Sequence, residues 1–115
     1  MSKKDVVIVR PRIYIGENIS VGPGKIDLLK KINVTSSIAA AARELELPYK
    51  RAWLLIDSLN QGFGQPVVAT SSGGKKGGGS VLTPLGIQLI ELYDALEEKI
   101  NITTADELKN IQNLV

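Results

Sequence analysis

The 115-residue chain contains no cysteine and no histidine. Without cysteine there is no disulfide framework, no thiol nucleophile and no thiolate metal site, and without histidine the commonest general base and zinc ligand are gone as well. Most familiar catalytic constellations are thereby excluded, and no catalytic, cofactor-binding or metal-ligating residue is expected. Long apolar runs are missing too. No stretch approaches the ~20 residues needed to span a bilayer, and the basic start MSKKDVVIVRPR continues into a charged, β-branched segment instead of a signal-peptide core. These absences predict a cytoplasmic protein with no membrane partner and no enzymatic activity.

The carboxylates do not restore catalysis. Glu44 and Glu46 fall near a helix end, and Glu91, Asp94, Glu97 and Glu98 decorate the outside of a helix, where no apolar residues build the pocket that convergent, perturbed groups need. The glycine-rich SSGGKKGGGS is not a nucleotide loop either. A phosphate-binding loop wants GxxxxGK followed by Ser or Thr and then a helix, whereas Lys75 is followed by Lys76 and then by strand-like sequence.

What is present is organised around Ser36 to Asn60. Ile38, Ala41, Ala42 and Leu45 recur at i, i+3, i+4 and i+7, the stripe of an amphipathic helix, and Ser36 or Ser37 supplies a capping hydroxyl. The helix should stop near Glu46, ahead of Pro48, which suits the first turn of a second helix. That helix places Ala52, Ile56 and Leu59 on one side and opens with Tyr49, Lys50 and Arg51. Ala39 to Ala42 would let two helix backbones approach closely, as a helix-turn-helix crossing requires.

The flanks fit the same plan. Asp5 to Ile15 reads as at least one strand broken at Pro11, Glu17 to Gly24 as turn chemistry, and Lys25 to Val34 as a helix with Ile26, Leu28, Leu29 and Ile32 inward. After a glycine-punctuated loop over Gln61 to Gln65, Pro66 to Thr70 and Val81 to Thr83 read as two short strands. The tip between them carries five glycines in positions 73 to 79, with Lys75 and Lys76 its only long side chains. Thr83 and Pro84 then open the longest helix, in which Leu85, Leu89, Leu92 and Leu96 repeat beside a second row of Ile90, Tyr93 and Ile100. That band is wider than packing onto one small domain needs. A last short helix is expected from Thr103, with Leu108, Ile111 and Val115 as its stripe.

Charge divides along the chain. Residues 1 to 83 hold 12 Lys and Arg against 6 Asp and Glu, a net +6, while residues 84 to 115 hold 2 against 6, a net −4. The expected fold is therefore mainly α with a small β wing: a winged helix-turn-helix in one domain over residues 1–115. Residues 1–83 would form the DNA-binding core and wing, and residues 84–115 a long C-terminal dimerisation helix and tail.

The run PYKRAWLLIDSLN, the hairpin SSGGKKGGGSVLT and the helix start PLGIQLIELYDALE resemble the N-terminal DNA-binding domain of the ModE family of molybdate-responsive regulators, over roughly residues 8 to 98. More loosely, the arrangement is similar to the DNA-binding domain of LysR-type regulators. The resemblance implies a sequence-specific transcriptional regulator of double-stranded DNA, with the Ala52 helix in the major groove, the wing on the backbone or minor groove, and the long helix forming a homodimer. The expected DNA contacts are Ser36, Ser37, Pro48, Tyr49, Lys50, Arg51, Trp53 and Leu54, with Lys75 and Lys76 at the wing; the expected dimer seam is Leu85, Leu89, Leu92, Tyr93, Leu96 and Ile100. Trp53 and Tyr49 also suit packing roles at the helix rim. The family's C-terminal molybdate-binding domains have no counterpart in these 115 residues, so DNA binding is expected here and binding of molybdate or another oxyanion by this chain alone is not. The reading from another class is a protein-interaction adaptor that uses the apolar band of the long helix.

Overall fold

The computed structural model describes residues 6–71 and 79–115. Its elements run β1 (Ile13–Ile15), β2 (Ile19–Val21), α1 (Pro23–Thr35), α2 (Ile38–Glu44), α3 (Tyr49–Phe63), β3 (Val68–Ser71), β4 (Gly79–Leu82), α4 (Pro84–Thr103) and α5 (Ala105–Gln112). The fold is thus mainly helical with two small antiparallel strand pairs, β1 with β2 and β3 with β4.

Helix α1 is the centre of the core. Its Ile26, Leu28, Leu29 and Ile32 are fully buried, and around them pack Ile38, Ala41 and Ala42 of α2, Ala52, Ile56 and Leu59 of α3, Val67 and Leu82 at the base of the β3–β4 pair, and Tyr93 of α4. Burying one such aliphatic side chain contributes about 1.5–3 kcal/mol, so the stripes at helical spacing are what order the three-helix unit.

The crossing between α2 and α3 is built locally. Ser37 caps α2 by accepting a hydrogen bond from the Ala40 amide at 3.0 Å. The other end closes as a Schellman motif: the Leu47 amide donates to the Ala42 carbonyl at 2.8 Å and the Glu46 amide to Arg43 at 3.1 Å, with Glu46 left-handed at φ 57°. Helix α2 therefore ends at Glu44 through its own backbone rather than through Pro48, and Pro48 stands at the N-cap of α3, not inside its first turn. Of the four alanines, Ala41 and Ala42 are buried and Ala39 is exposed, so only half the run serves the crossing.

Four further boundaries differ from the sequence expectation. The segment read as turn contains strand β2, whose register (Ile13 opposite Val21, Ile15 opposite Ile19) closes over Gly16 at φ 64°. Helix α1 begins earlier, with Pro23 in its first turn and Gly22 as N-cap. Helix α3 runs on through Gln61, Gly62 and Phe63 to a left-handed Gly64, because Gly62 lies against Ile19, where a Cβ would stand 3.1 Å from Ile19 side-chain carbons. Residues 6–12 form no ladder. Instead the Asn101 side chain of α4 stands in for a neighbouring strand: its Oδ1 accepts from the Val9 amide at 2.8 Å and its Nδ2 donates to the Val9 carbonyl at 2.9 Å.

The base of the β3–β4 pair is fixed to its surroundings. Thr83 caps α4 by accepting from the Gly86 amide, while its own hydroxyl donates to Pro66 and its amide to Val67. The Ser80 amide donates to the Ser36 carbonyl at 3.0 Å, which joins β4 to the left-handed end of α1. At the far end of the chain the Thr104 hydroxyl bonds back to Ile100 and does not cap α5, where Ile111 and Val115 are exposed.

Candidate nucleic-acid interface

Helix α3 turns about 100° per residue, which sorts its side chains into four directions. Ala52, Ile56 and Leu59 face the core. Opposite them Lys50, Leu54, Asp57 and Gln61, spaced 4, 3 and 4 apart, form an exposed outward face, with Leu54 half exposed at 50%. One flank carries Tyr49 and Trp53, whose rings meet edge-on at a centroid distance of 6.2 Å. The other carries Arg51 and Leu55.

Each flank borders a groove. On the Tyr49 side a hollow of about 280 Å³ is lined by Ser37 and Ala39 at the start of α2, by Tyr49 and Trp53, and by Thr70, Ser71, Gly79 and Ser80 of the strand pair. On the Arg51 side a cleft of about 400 Å³ is lined by Arg12, Ser20, Gly24, Lys25, Arg51, Leu54 and Ser58, among others. Lys25 is held there at both ends of its reach: its Nζ donates to the Ser20 carbonyl at 2.7 Å and to the Ser58 hydroxyl at 3.0 Å. Burial, and then the charges of Arg12 and Arg51, lower its pKa from the usual lysine value.

Three cations elsewhere are neutralised. Arg10 pairs with Asp27 at 2.6 Å, Lys30 with Asp94 at 2.6 Å and Lys31 with Glu44 at 3.2 Å, contacts that tie α1 to the N-terminal segment, α4 and α2. The Asp27 hydrogen bond also raises the pKa of Arg10. Among the described residues Lys50, Arg51, Arg12 and Lys25 have no carboxylate within 4.0 Å. Arg43 of α2 lacks one as well; the other four lie on or beside α3, where no ion pair among the described residues cancels Coulomb attraction for a polyanion.

The residues expected from sequence fall as follows. Ser37, Tyr49 and Trp53 share one hollow, with Trp53 half-buried. Ser36 is the left-handed cap of α1, and its carbonyl is engaged by Ser80. Pro48, Lys50, Arg51 and Leu54 are exposed, with Arg51 turned to the opposite flank from Tyr49. Lys75 and Lys76 lie outside the described residues. On α4, Leu92 and Leu96 are 62% and 37% exposed and Leu85, Leu89 and Ile100 half-buried. Tyr93 departs from the expected seam: at 2% exposure it belongs to its own chain's core, with its hydroxyl donating to the Pro11 carbonyl at 2.7 Å and burial raising its pKa. Sequence reasoning passed over Arg12, Ser58 and Gln61. Gln61 was legible as +7 from Leu54 but was assigned to a loop because Gly62 follows it.

No group of three or more Asp and Glu able to hold a metal ion occurs among the described residues, and no helix of theirs is long and apolar enough to cross a membrane.

A helical pair joined by a tight turn, followed by a β-hairpin base and a long helix, is compatible with the winged helix-turn-helix class. Comparison with known proteins finds molybdenum-related relatives. The chain is 48% identical over 77 residues to the molybdenum-pterin-binding protein MopB of Rhodobacter capsulatus, covering 67% of this chain and 28% of that protein. It is 40% identical over 86 residues to the DNA-binding transcriptional dual regulator ModE of Escherichia coli K12, covering 75% and 33%. It is 35% identical over 106 residues to the transcriptional regulator ModE of Yersinia pestis, covering 90% and 40%. These matches are consistent with a ModE-like domain, and the chain spans no more than 40% of the length of any of the three. No family model matches the chain. The looser likeness to LysR-type regulators receives no support from these relatives.

Proposed function

We propose that this chain is the DNA-binding part of a transcriptional regulator that works as a homodimer in the cytoplasm, with residues 1–83 on the DNA and residues 84–115 joining the two copies. The observation that carries the reading is the outward face of α3, where Lys50, Leu54, Asp57 and Gln61 stand exposed between two grooves and the neighbouring cations lack acidic partners. A helix of ~10–12 Å diameter fits a major groove about 12 Å wide, so such a face reads base edges while its flanks meet the phosphate rims. The likeness to relatives named as transcriptional regulators supports the same conclusion. Lys75 and Lys76 would add backbone or minor-groove contacts at the wing.

The test is selection of bound fragments from genomic DNA followed by titration at several salt concentrations. A DNA reader must weaken steeply with salt, because each neutralised phosphate releases counterion with a slope of about −0.9 per contact. A protein-interaction adaptor would select no fragment. Micromolar molybdate should leave both DNA affinity and melting temperature unchanged, since a ligand well above its dissociation constant would raise the latter.

Helix α4 supports the dimer reading. Leu92 at 62% and Leu96 at 37% exposure leave an apolar strip on a helix whose Tyr93 side is already used by the core. Leu92→Asp is expected to convert the dimer to monomer in sedimentation at micromolar concentration without lowering the melting temperature measured on the monomer. A wild type that sediments only as monomer would remove the dimer.

A further inference from the structure

We infer that the cleft formed by Arg12, Lys25 and Arg51 beside α3 is a seat for one phosphoryl group of the DNA backbone, on the flank of the recognition helix opposite the wing. The inference rests on the DNA-binding reading and adds a specific phosphate contact to it.

The three cations come from three different parts of the chain: Arg12 from the segment preceding β1, Lys25 from the first turn of α1 and Arg51 from the first turn of α3. Like charges so arranged repel one another, and folding would ordinarily place a carboxylate between them or let them splay into water. Here Arg12 and Arg51 stay exposed to water, but no carboxylate has been placed between them. No Asp or Glu is among the residues lining the cleft, and Lys25 is fixed by the Ser20 carbonyl and the Ser58 hydroxyl. Arg12 is close-packed: its guanidinium lies over Gly22, where a Cβ would stand 2.9 Å from Arg12 Cζ, so the absence of a side chain at Gly22 makes the room. The lowered pKa of Lys25, caused by burial and by the two arginines, marks the same deficit of negative charge. A tetrahedral dianion or phosphodiester supplies several acceptors at once, and Arg and Lys together match them.

Position decides which phosphoryl group. Leu54 and Ser58 line both this cleft and the hollow that holds Asn18, Asp57 and Gln61 on the outward face of α3. A duplex seated on that face has a sugar-phosphate rim on each side of the helix. The Tyr49 side meets one rim with the start of α2 and the wing; the Arg12 side meets the other. Contacts of this kind set the register of the helix in the groove and carry no base preference.

The experiment uses the full chain with a selected DNA fragment, in wild type, Arg12→Gln and Lys25→Gln, with Lys50→Ala as the marker of the DNA-binding reading itself. Both glutamine variants should melt no lower than wild type, because each relieves repulsion. Each should bind about tenfold more weakly at low salt and show a salt slope smaller by about 1, so that the wild-type advantage shrinks roughly three- to fourfold between 50 and 200 mM salt, with the preference among fragments unchanged. A second arm without DNA measures melting temperature in millimolar inorganic phosphate. A rise in wild type that both variants lack, with DNA affinity and slope unaffected, would assign the seat to the free anion. Arg12→Gln is the deciding variant if Lys25→Gln melts lower, since Arg12 makes no hydrogen bond among the described residues. Unchanged DNA affinity, unchanged slope and no phosphate effect overturn the seat; if Lys50→Ala loses binding in the same experiment, the DNA-binding reading stands without it.

Discussion

Replacing Gly86 by alanine is expected to destabilise the protein by about 2 kcal/mol, although the same change in an exposed helix would stabilise it by ~1 kcal/mol. The sign is decided by what the new methyl meets. A Cβ at Gly86 would lie 2.3 Å from the Val67 carbonyl oxygen and 3.4 Å from Leu82 Cβ. The carbonyl cannot withdraw freely, because it accepts the Thr83 amide at 3.0 Å and so closes the base of the β3–β4 pair. Overpacking of this sort costs about 1–3 kcal/mol, and contact with hydrogen-bonded backbone belongs at the upper end, so the clash outweighs the propensity gain. Thermal unfolding should fall by roughly 8–16 °C for a chain of this size. An alanine variant that melts at or above wild type would show that α4 does not pack on the strand pair through Gly86.

The second large effect is on binding. Lys50→Ala and Arg51→Ala should each weaken DNA binding by about 1–3 kcal/mol if they reach a base edge, which is one to two orders of magnitude in affinity. The two are not equivalent. Lys50 stands on the outward face with Leu54 and Gln61, so its loss should relax the preference among fragments. Arg51 turns toward Arg12 and Lys25, so its loss should weaken all fragments alike and reduce the salt slope. Replacing Lys75 and Lys76 should cost less than replacing Lys50 and Arg51 together. Wild-type affinity in the Lys50→Ala, Arg51→Ala double variant would remove α3 as the reading helix.

How much of this was legible in the sequence depended on the range of the forces involved. The stripes Ile26–Leu29–Ile32, Ile38–Ala41–Ala42 and Ala52–Ile56–Leu59 announce their helices, because periodic burial against a core is written into each segment alone. Thr83 as the cap of α4 was equally local. Strand β2 was hidden, since Glu17 to Gly24 reads as turn chemistry and only pairing with Ile13 to Ile15 makes part of it extended. The end of α3 was misplaced because glycine propensity argued for a stop, while the close approach of Ile19 favours a glycine at position 62 inside the helix. For the candidate interface, sequence pointed to the first turn of α3 but could not say that Arg51 and Tyr49 lie on opposite flanks, nor that residue 12 would return beside residue 25. Tyr93 was set on the wrong side of α4 by the width of the apolar band: the strap of residues 6–12, which its hydroxyl holds at Pro11, covers part of that band within the same chain.

Mechanically, α4 is clamped towards both ends as well as through Tyr93 and Asp94 at its middle. Near its start Gly86 presses on Val67, and near its end Asn101 grips Val9 in both directions; the fifteen steps from Gly86 to Asn101 span about 22 Å at 1.5 Å per residue. A rod held so far apart at its fixings has little freedom to pivot on its own. Any torque applied to its exposed Leu92 and Leu96 strip is passed to the hairpin base at one end and, through the Arg10–Asp27 contact, to α1 at the other. Whatever sets the angle between two such rods would therefore also set the spacing at which two copies of α3 face a common surface.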